Sequence, residues 1–312
     1  MSSRSGIYFS LRRDTLFPGI LLDGRYRVLR KLGKGGEGEI FAALDEQRRC
    51  EVAVKSQFPR TFESTTAYAS AALPMENELE RLQFMRRVPG IPRLMGNGHY
   101  GRNRGRYIVM ELVEGLTVES WITDHHPVPA AAAVSVVAQL CKILDSVHDE
   151  KYVHRDVTAK NVMMQFDGRV RLLDVGISGV AGDINDDPRG TPGYAPPEQY
   201  DRTAVLAPQV DVFSLGAMLF AMLGPELPYS SLEGPPDATT PAFPKGIRAE
   251  MPEPLRSLAL AMVSVDPRER PDGVAEVLGY LRPMLPEPGS PASPKATRPD
   301  PTAPYRLGLS VP

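Results

Sequence analysis

Over the first hundred or so residues the apolar positions come in short blocks. Tyr26–Leu32, Glu39–Leu44 and Glu51–Lys55 are apolar or β-branched runs separated by Gly-rich or charged turns, a pattern that predicts three strands. Met75, Leu79, Leu82 and Met85 then recur at steps of three and four, which predicts a helix, and Pro89-Gly90 and Pro92 stop it. Tyr107–Leu112 predicts one further buried strand. From about Leu116 the texture changes to long periodic windows, Ala130–His148, Val210–Leu223, Pro254–Val263 and Val274–Leu281, each the length of a core helix. A small β portion followed by a larger α portion is the expected architecture, with no internal repeat. Residues 283–304 carry eight prolines among Ser, Lys and Glu. Such a stretch buries too little apolar surface to offset its ordering entropy, so 284–312 is expected to be a disordered or polyproline-like tail, serving as a linker or as a docking segment for partners.

Length and composition narrow the classes. A chain of 312 residues has room for two packed lobes. Its 42% hydrophobic and 24% charged content is that of an ordinary globular protein, and a net charge of -2 gives no global attraction to nucleic acid or to an anionic membrane. No nucleic-acid partner is expected. Cys50 and Cys141 are the two cysteines, far apart and in no metal-ligand spacing, which points to a reducing, cytoplasmic setting. The first fourteen residues hold no apolar stretch of signal-peptide length. Val128–Leu144 is interrupted by Ser135, Gln139 and Lys142, and Ala204–Gly224 by Pro208, Gln209, Asp211 and Gly216. Both read as core helices, so no membrane span is expected.

The candidate chemistry lies between these elements. Gly33-Lys34-Gly35-Gly36-Glu37-Gly38 is a GxGxxG run, which by itself also opens dinucleotide-binding helices. Here it leads into Ile40-Phe41-Ala42-Ala43-Leu44, a charged turn and Val52-Ala53-Val54-Lys55, a strand–turn–strand context. Glycines at such a tip let backbone N–H groups approach phosphates with no Cβ in the way. Lys55 ends an apolar strand, where it is either a surface lysine or a cation with a buried task. In His154-Arg155-Asp156-Val157-Thr158-Ala159-Lys160-Asn161, one loop presents a hydroxyl-accepting carboxylate and, five residues on, a metal-binding amide. Eighteen residues past Asp156, after a hairpin turning at Asp167-Gly168, comes Asp174-Val175-Gly176. A carboxylate there can hold Mg²⁺ against nucleotide phosphates.

Together with Gly190-Thr191-Pro192 and Pro196-Pro197-Glu198, these motifs in this order resemble the signature set of eukaryotic-type (Hanks-type) protein kinases, and look most like bacterial Ser/Thr kinases. The resemblance covers about residues 25–283. It implies an α+β, two-lobe kinase fold: an extension over 1–24, a small antiparallel β N-lobe with one main helix over 25–113, and a larger α-helical C-lobe over 114–283. It implies transfer of the ATP γ-phosphoryl to Ser/Thr hydroxyls of protein substrates, including autophosphorylation, with Mg²⁺ or alternatively Mn²⁺. By resemblance, Gly33–Gly38 cover the phosphates. Lys55 holds the α- and β-phosphates and pairs with a helix glutamate, chosen as Glu78 because it stands four residues before Leu82 and seven before Met85, with Glu76 and Glu80 as runners-up. Met110 is the gatekeeper, Glu111 to Val113 the adenine hinge, and Ile40, Ala53 and Met163 sandwich the base. Asp156 is the catalytic base, and Asn161 and Asp174 bind the metal. Asp211 accepts from the catalytic-loop backbone, and Glu198 pairs with Arg270.

The chain departs from the pattern in places. Val175 stands where the family has Phe, Pro196 where it has Ala, and Ile40 where it has Val. Thr158 stands where Ser/Thr kinases carry a Lys, so Lys160, four residues after Asp156, is expected to be the cation for the γ-phosphate. Arg155 implies an activation segment neutralised by an anion, and Asp186 or Asp187 is expected to replace the usual phosphate. Two other readings are a pseudokinase or nucleotide-binding signalling scaffold, and a small-molecule phosphotransferase. The first is disfavoured by the presence of Lys55, Asp156, Asn161 and Asp174, the second by the 190–198 segment and the Asp211 helix.

Overall fold

The computed structural model describes residues 16–34, 38–57, 65–101, 105–224, 226–229 and 251–311, with 65–74 as backbone only. The chain divides into two compact units, residues 1–87 with 92–113, and residues 88–91 with 114–312.

In the N-terminal unit an antiparallel sheet of six strands has the order β1-β2-β3-β4-β6-β5. The strands are β1 (Leu21–Leu22), β2 (Tyr26–Lys34), β3 (Gly38–Asp45), β4 (Cys50–Gln57), β5 (Leu94–Tyr100) and β6 (Gly105–Glu111). Alternation along each strand separates two faces. Val28, Phe41, Ala43, Val52, Val54, Tyr107 and Val109 point to one side and, with Leu16, Leu22 and Tyr26, make an apolar core. Ile40, Ala53, Lys55, Ile108 and Met110 take the other, with Ile40 paired to Lys55, Lys55 to Ile108 and Ala53 to Met110. At the β3–β4 turn, Asp45 accepts from the backbone N–H groups of Gln47 and Arg48, while Arg25 grips both its oxygens at 2.7–2.9 Å. Helix α1 (Thr65–Phe84) follows and begins well before the periodic window that betrayed it, running through Pro74. Strand β5 had no signal in the sequence: LMGNGHY is neither apolar nor alternating, and the strand exists because β6 offers it a hydrogen-bonding edge.

The C-terminal unit is mainly helical: α2 (Val118–His125), α3 (Ala130–Asp149), α4 (Gln209–Leu223), α5 (Glu253–Met262), α6 (Val274–Leu281) and the short α7 (Ala303–Arg306). Strands β7 (Leu116–Thr117), β9 (Val162–Met164) and β10 (Val170–Leu172) form one small sheet, and β8 (Tyr152–Val153) with β11 (Gly179–Val180) another. Helix α3 alone among the described residues is long and apolar enough to cross a membrane, but most of it is packed inside this unit, as a core helix requires.

The Pro-rich segment corrects the expectation of a disordered tail. Residues 283–311 fold onto the C-terminal unit. The fully buried Trp121 donates its indole N–H to the Pro299 carbonyl at 3.1 Å. Gln139, also fully buried, accepts from Val170 N and donates to the carbonyls of Gly168 and Pro301. Gly168 (φ 85°) lets the chain come this close, since a Cβ there would strike the Asp300 carbonyl. Thr297 and Pro304 are buried, and Arg306 pairs with Asp300 at 2.7 Å. Local composition understated this segment because its partners lie more than 160 residues away in sequence.

Candidate active site

On the sheet face opposite the apolar core, the Lys55 ammonium lies 2.8 Å from each Glu78 carboxylate oxygen. Lys55 is 5% exposed and Glu78 1%. A pair this dry persists only because each charge offsets the desolvation of the other. Among the three helix glutamates it is Glu78 that Lys55 meets; Glu76 is engaged by Arg106. Ala53 and Met110 are register partners two residues from the Lys55–Ile108 pair, so strand geometry alone places them beside it. The β4–β6 ladder ends at Glu111, and Leu112 and Val113 continue past it. In the Gly-rich hairpin, Gly33 pairs with Ile40 and Lys34 with Glu39, and a side chain at Gly38 would run into the Ser56 carbonyl. Gly35, Gly36 and Glu37 lie outside the described residues.

In the C-terminal unit the loop between β8 and β9 is fastened from below. Fully buried Asp211 accepts from the backbone N–H groups of His154 and Arg155, both at 2.8 Å, and from His148 Nε2 at 2.8 Å. Burial by itself would push this carboxyl up, but the His148 and His154 contacts hold it below the ordinary carboxylate range. Thus anchored, and with Arg155 in the left-handed region (φ 70°), the loop presents Asp156 half-buried at its end. Asp156 Oδ2 accepts from Asn161 Nδ2, and Oδ1 from Thr191 Oγ1, each at 2.6 Å. The Asn161 amide spends its N–H groups on Asp156, donating to the backbone carbonyl at 3.0 Å as well as to the carboxylate, which leaves its oxygen as an acceptor. The Leu173 N–H bonds the Asn161 carbonyl at 2.7 Å, which sets the exposed Asp174 (φ 56°) beside this loop. Asn161 and Asp174 thereby offer hard oxygen donors and no nitrogen or sulfur, a set that suits Mg²⁺ sharing its sphere with water and phosphate. Met163 is on β9, half-buried.

Farther along, Glu198 receives the Arg270 guanidinium at 2.6 and 3.1 Å, and Arg270 lies over the Phe213 ring with its carbon 5.0 Å from the centroid. Lys160 is 72% exposed and its ammonium faces Glu119 at 3.7 Å, so in this structure it is not drawn toward Asp156. The Asp187 carboxylate pairs with Arg189, and the Arg155 guanidinium donates to the Asp187 backbone carbonyl and to the Asn185 side-chain oxygen. Asn185 and Gln199 had no signal in the sequence, since carboxamides in a loop acquire meaning only from distant partners.

A buried Lys–Glu pair in the N-terminal unit and, in the C-terminal unit, an anchored Asp–Asn loop and a second carboxylate are joined by a direct comparison: residues 26–279 match the family described as protein kinase domain. The chain is a member of the protein kinase family. It is 28% identical over 288 residues to serine/threonine-protein kinase pkn2 of Myxococcus xanthus, across 84% of this chain and 32% of that one. To serine/threonine-protein kinase PrkC of Bacillus subtilis it is 26% identical, covering 81% of this chain and 39% of the other. To PknB of Mycobacterium leprae it is 30% identical over 67% of this chain and 34% of that protein. The kinase chain thus spans well under half the length of these curated relatives. In fold it is similar to the PknI kinase domain of Mycobacterium tuberculosis, with a TM-score of 0.65 at 21% identity, over 86% of this chain and 99% of that one.

Proposed function

We propose that this domain is an active Ser/Thr protein kinase, transferring the γ-phosphoryl of ATP to an aliphatic hydroxyl of a protein and able to phosphorylate itself. The observation that carries this reading is Asp156 Oδ1 accepting the Thr191 hydroxyl at 2.6 Å. That is the kind of interaction a substrate Ser or Thr would make, and it supports a carboxylate placed for an aliphatic O–H. In the proposed reaction Asp156 orients the substrate hydroxyl, the oxygen forms a bond to the γ-phosphorus as the bond to the β-bridging oxygen breaks, and the hydroxyl proton passes to Asp156. ADP carries away the departing electron pair. Lys55, held by Glu78, offsets charge on the α- and β-phosphates, and the backbone of Gly33–Gly38 covers them. Ile40, Ala53 and Met163 pack on the adenine, Met110 limits its depth, and the Glu111 to Val113 backbone holds its edge. Asn161 and Asp174 would hold Mg²⁺, or Mn²⁺ in its place, which when bound neutralises charge developing at the phosphates. Lys160 swings from its loose pair with Glu119 to the γ-phosphate. Because the domain consumes ATP, it is assigned to the cytoplasmic compartment, with protein substrates as its partners.

Asp174→Ala tests the metal assignment and Lys160→Met the cation. Asp174→Ala is expected to lower turnover by about 10²–10³ or more while the far-ultraviolet spectrum and melting stay intact. Lys160→Met is expected to lower kcat at least about tenfold with KM for ATP little changed. Near-wild-type turnover in either variant would remove that residue from the mechanism.

A further inference from the structure

Asn161 and Asp174 stand at the open end of the β9–β10 hairpin, one immediately before β9 and the other two residues after β10. The Leu173 N–H closes that end on the Asn161 carbonyl at 2.7 Å. Between there and the turn the strands pair at Val162–Leu172, Met163–Arg171 and Met164–Val170. Two strands this short do not hold their register alone, so the hairpin depends on what is packed around it. Near the open end the Leu172 N–H donates to the Gly90 carbonyl at 3.0 Å, and helices α2 and α3 lie against β9 and β10.

The turn end is held by Gln139. On α3 it is buried in company with Val136, Leu140 and Ile143, where a carboxamide costs free energy unless its polar atoms are engaged. Its Oε1 accepts from the Val170 N–H at 3.0 Å, and its Nε2 donates to the Gly168 carbonyl at 3.1 Å and to the Pro301 carbonyl at 3.4 Å. The amide oxygen and both N–H groups are thereby used. One side chain joins helix α3, the hairpin turn and the C-terminal segment. Trp121 on α2 fixes the same segment two residues earlier, at the Pro299 carbonyl. Gly168 in the left-handed region leaves room for the carbonyl of Asp300, the residue between these two anchor points.

A short hairpin moves as a unit, so a turn that shifts carries its open end with it. The oxygen donors at that end tolerate little movement, because Mg²⁺ demands near-octahedral geometry. A displacement of about 1 Å caused far from the chemistry can cost about 10²-fold in rate. We propose that Gln139 is a positioning residue: by tying the β9–β10 turn to residues 297–306 it sets the placement of Asn161 and Asp174. The C-terminal segment is then a working part of the catalytic domain as well as a cover for Trp121. This inference rests on the kinase reading above, and its test separates the two.

Gln139→Leu and Trp121→Phe loosen the segment from two different helices. Leu255→Ala, at a fully buried position of α5, which packs on α4 and α6, serves as the control for lost stability. Each full-length variant is studied well below its melting temperature. Mn²⁺ affinity is read by electron paramagnetic resonance with the unreactive ATP analogue AMP-PNP present, and amide hydrogen exchange is followed over 170–174. Gln139→Leu is expected to weaken Mn²⁺ binding by about 10–100-fold and to quicken that exchange. Its kcat with Mg²⁺-ATP and casein is expected to fall about tenfold or more. Trp121→Phe should move all three in the same direction by smaller factors, while Leu255→Ala keeps wild-type Mn²⁺ affinity and exchange at 170–174. Wild-type Mn²⁺ affinity in Gln139→Leu overturns the proposal, and so does an equal loss in Leu255→Ala, which would make the segment a stabiliser alone. Should Gln139→Leu fail to fold, Trp121→Phe decides, and wild-type affinity and exchange in it overturn the proposal. A wild type that transfers no phosphate, yet binds Mn²⁺ with AMP-PNP and loses that binding in Gln139→Leu, defeats the kinase reading and supports the positioning role.

Discussion

A charge taken out of water is held in place by its partner, and at the residue scale this decides what substitutions at Lys55 and Glu78 do. Replacing Glu78 alone by Leu takes that carboxylate from the Lys55 ammonium in a dry site, a loss of up to about 3–5 kcal/mol where such pairs are broken. Replacing both by apolar residues of similar volume removes the desolvation penalty together with the attraction. The double variant Lys55→Met/Glu78→Leu is therefore expected to melt above Glu78→Leu and near wild type, while neither transfers phosphate. A double variant melting below the single one would refute the pairing argument. A second prediction concerns acid. The Arg25 hydrogen bonds hold the Asp45 carboxyl down to about 2. Since this folded-state value lies below the ordinary one of about 3.9, the contribution is complete above that pH and is lost as the pH falls through about 2. Removing the partner with Arg25→Met should lower the melting temperature by a constant amount from neutral pH down to about 5, and the gap to wild type should close between about pH 4 and 2. A gap independent of pH throughout would mean that Arg25 stabilises by packing. Residues such as Lys55, Asp156, Asn161 and Asp174 were legible in the sequence because chemistry demands one residue type at fixed spacing. Asn185 and Gln199 were not, because their roles come from partners 30 and 44 residues distant.

Among the elements, the apolar windows located α3, α4, α5 and α6 to within a residue or so, because a buried helix must show its period. Strand β5 and helix α2 escaped notice. The first is polar and borrows its form from β6, and the second is a short helix whose identity rests on its Thr117 cap, bonded to the Ser120 N–H. The C-terminal segment is the clearest case of an element set by its neighbours. Its prolines suited a disordered chain, yet Trp121, Gln139 and Gly168 form a seat for residues 297–306. Deleting residues 286–312 exposes that seat. The lost hydrogen bonds and the uncovered apolar surface of Pro304 and Tyr305 amount to about 2–3 kcal/mol, or roughly 4–10 °C in melting temperature. Trp121 is the chain's one tryptophan, so its emission reports on the seat directly. Truncation is expected to shift that emission to the red and lower the melting temperature together. Unchanged emission would show that the segment does not occupy the seat in solution.

For the whole molecule, an ordinary composition excluded little, and the ordered motifs carried the assignment to the kinase family. Each motif is short, but their order along the chain follows from the fold: a glycine hairpin on a β sheet, a lysine on the next strand, a carboxylate loop anchored on the Asp211 helix. The buried anchors Asp211 and Arg270 belong to this scale, since they hold loops for chemistry that other residues perform. Phosphoryl transfer to Ser or Thr through Asp156 is what the molecule is proposed to perform. Its most direct measurement incubates wild type and Asp156→Asn side by side with γ-labelled Mg²⁺-ATP and identifies the labelled amino acids after acid hydrolysis. Wild type should yield phosphoserine or phosphothreonine, and Asp156→Asn, isosteric and equally folded, should fall by about 10²-fold or more. Label on tyrosine alone, or an Asp156→Asn variant that turns over like wild type, would contradict it.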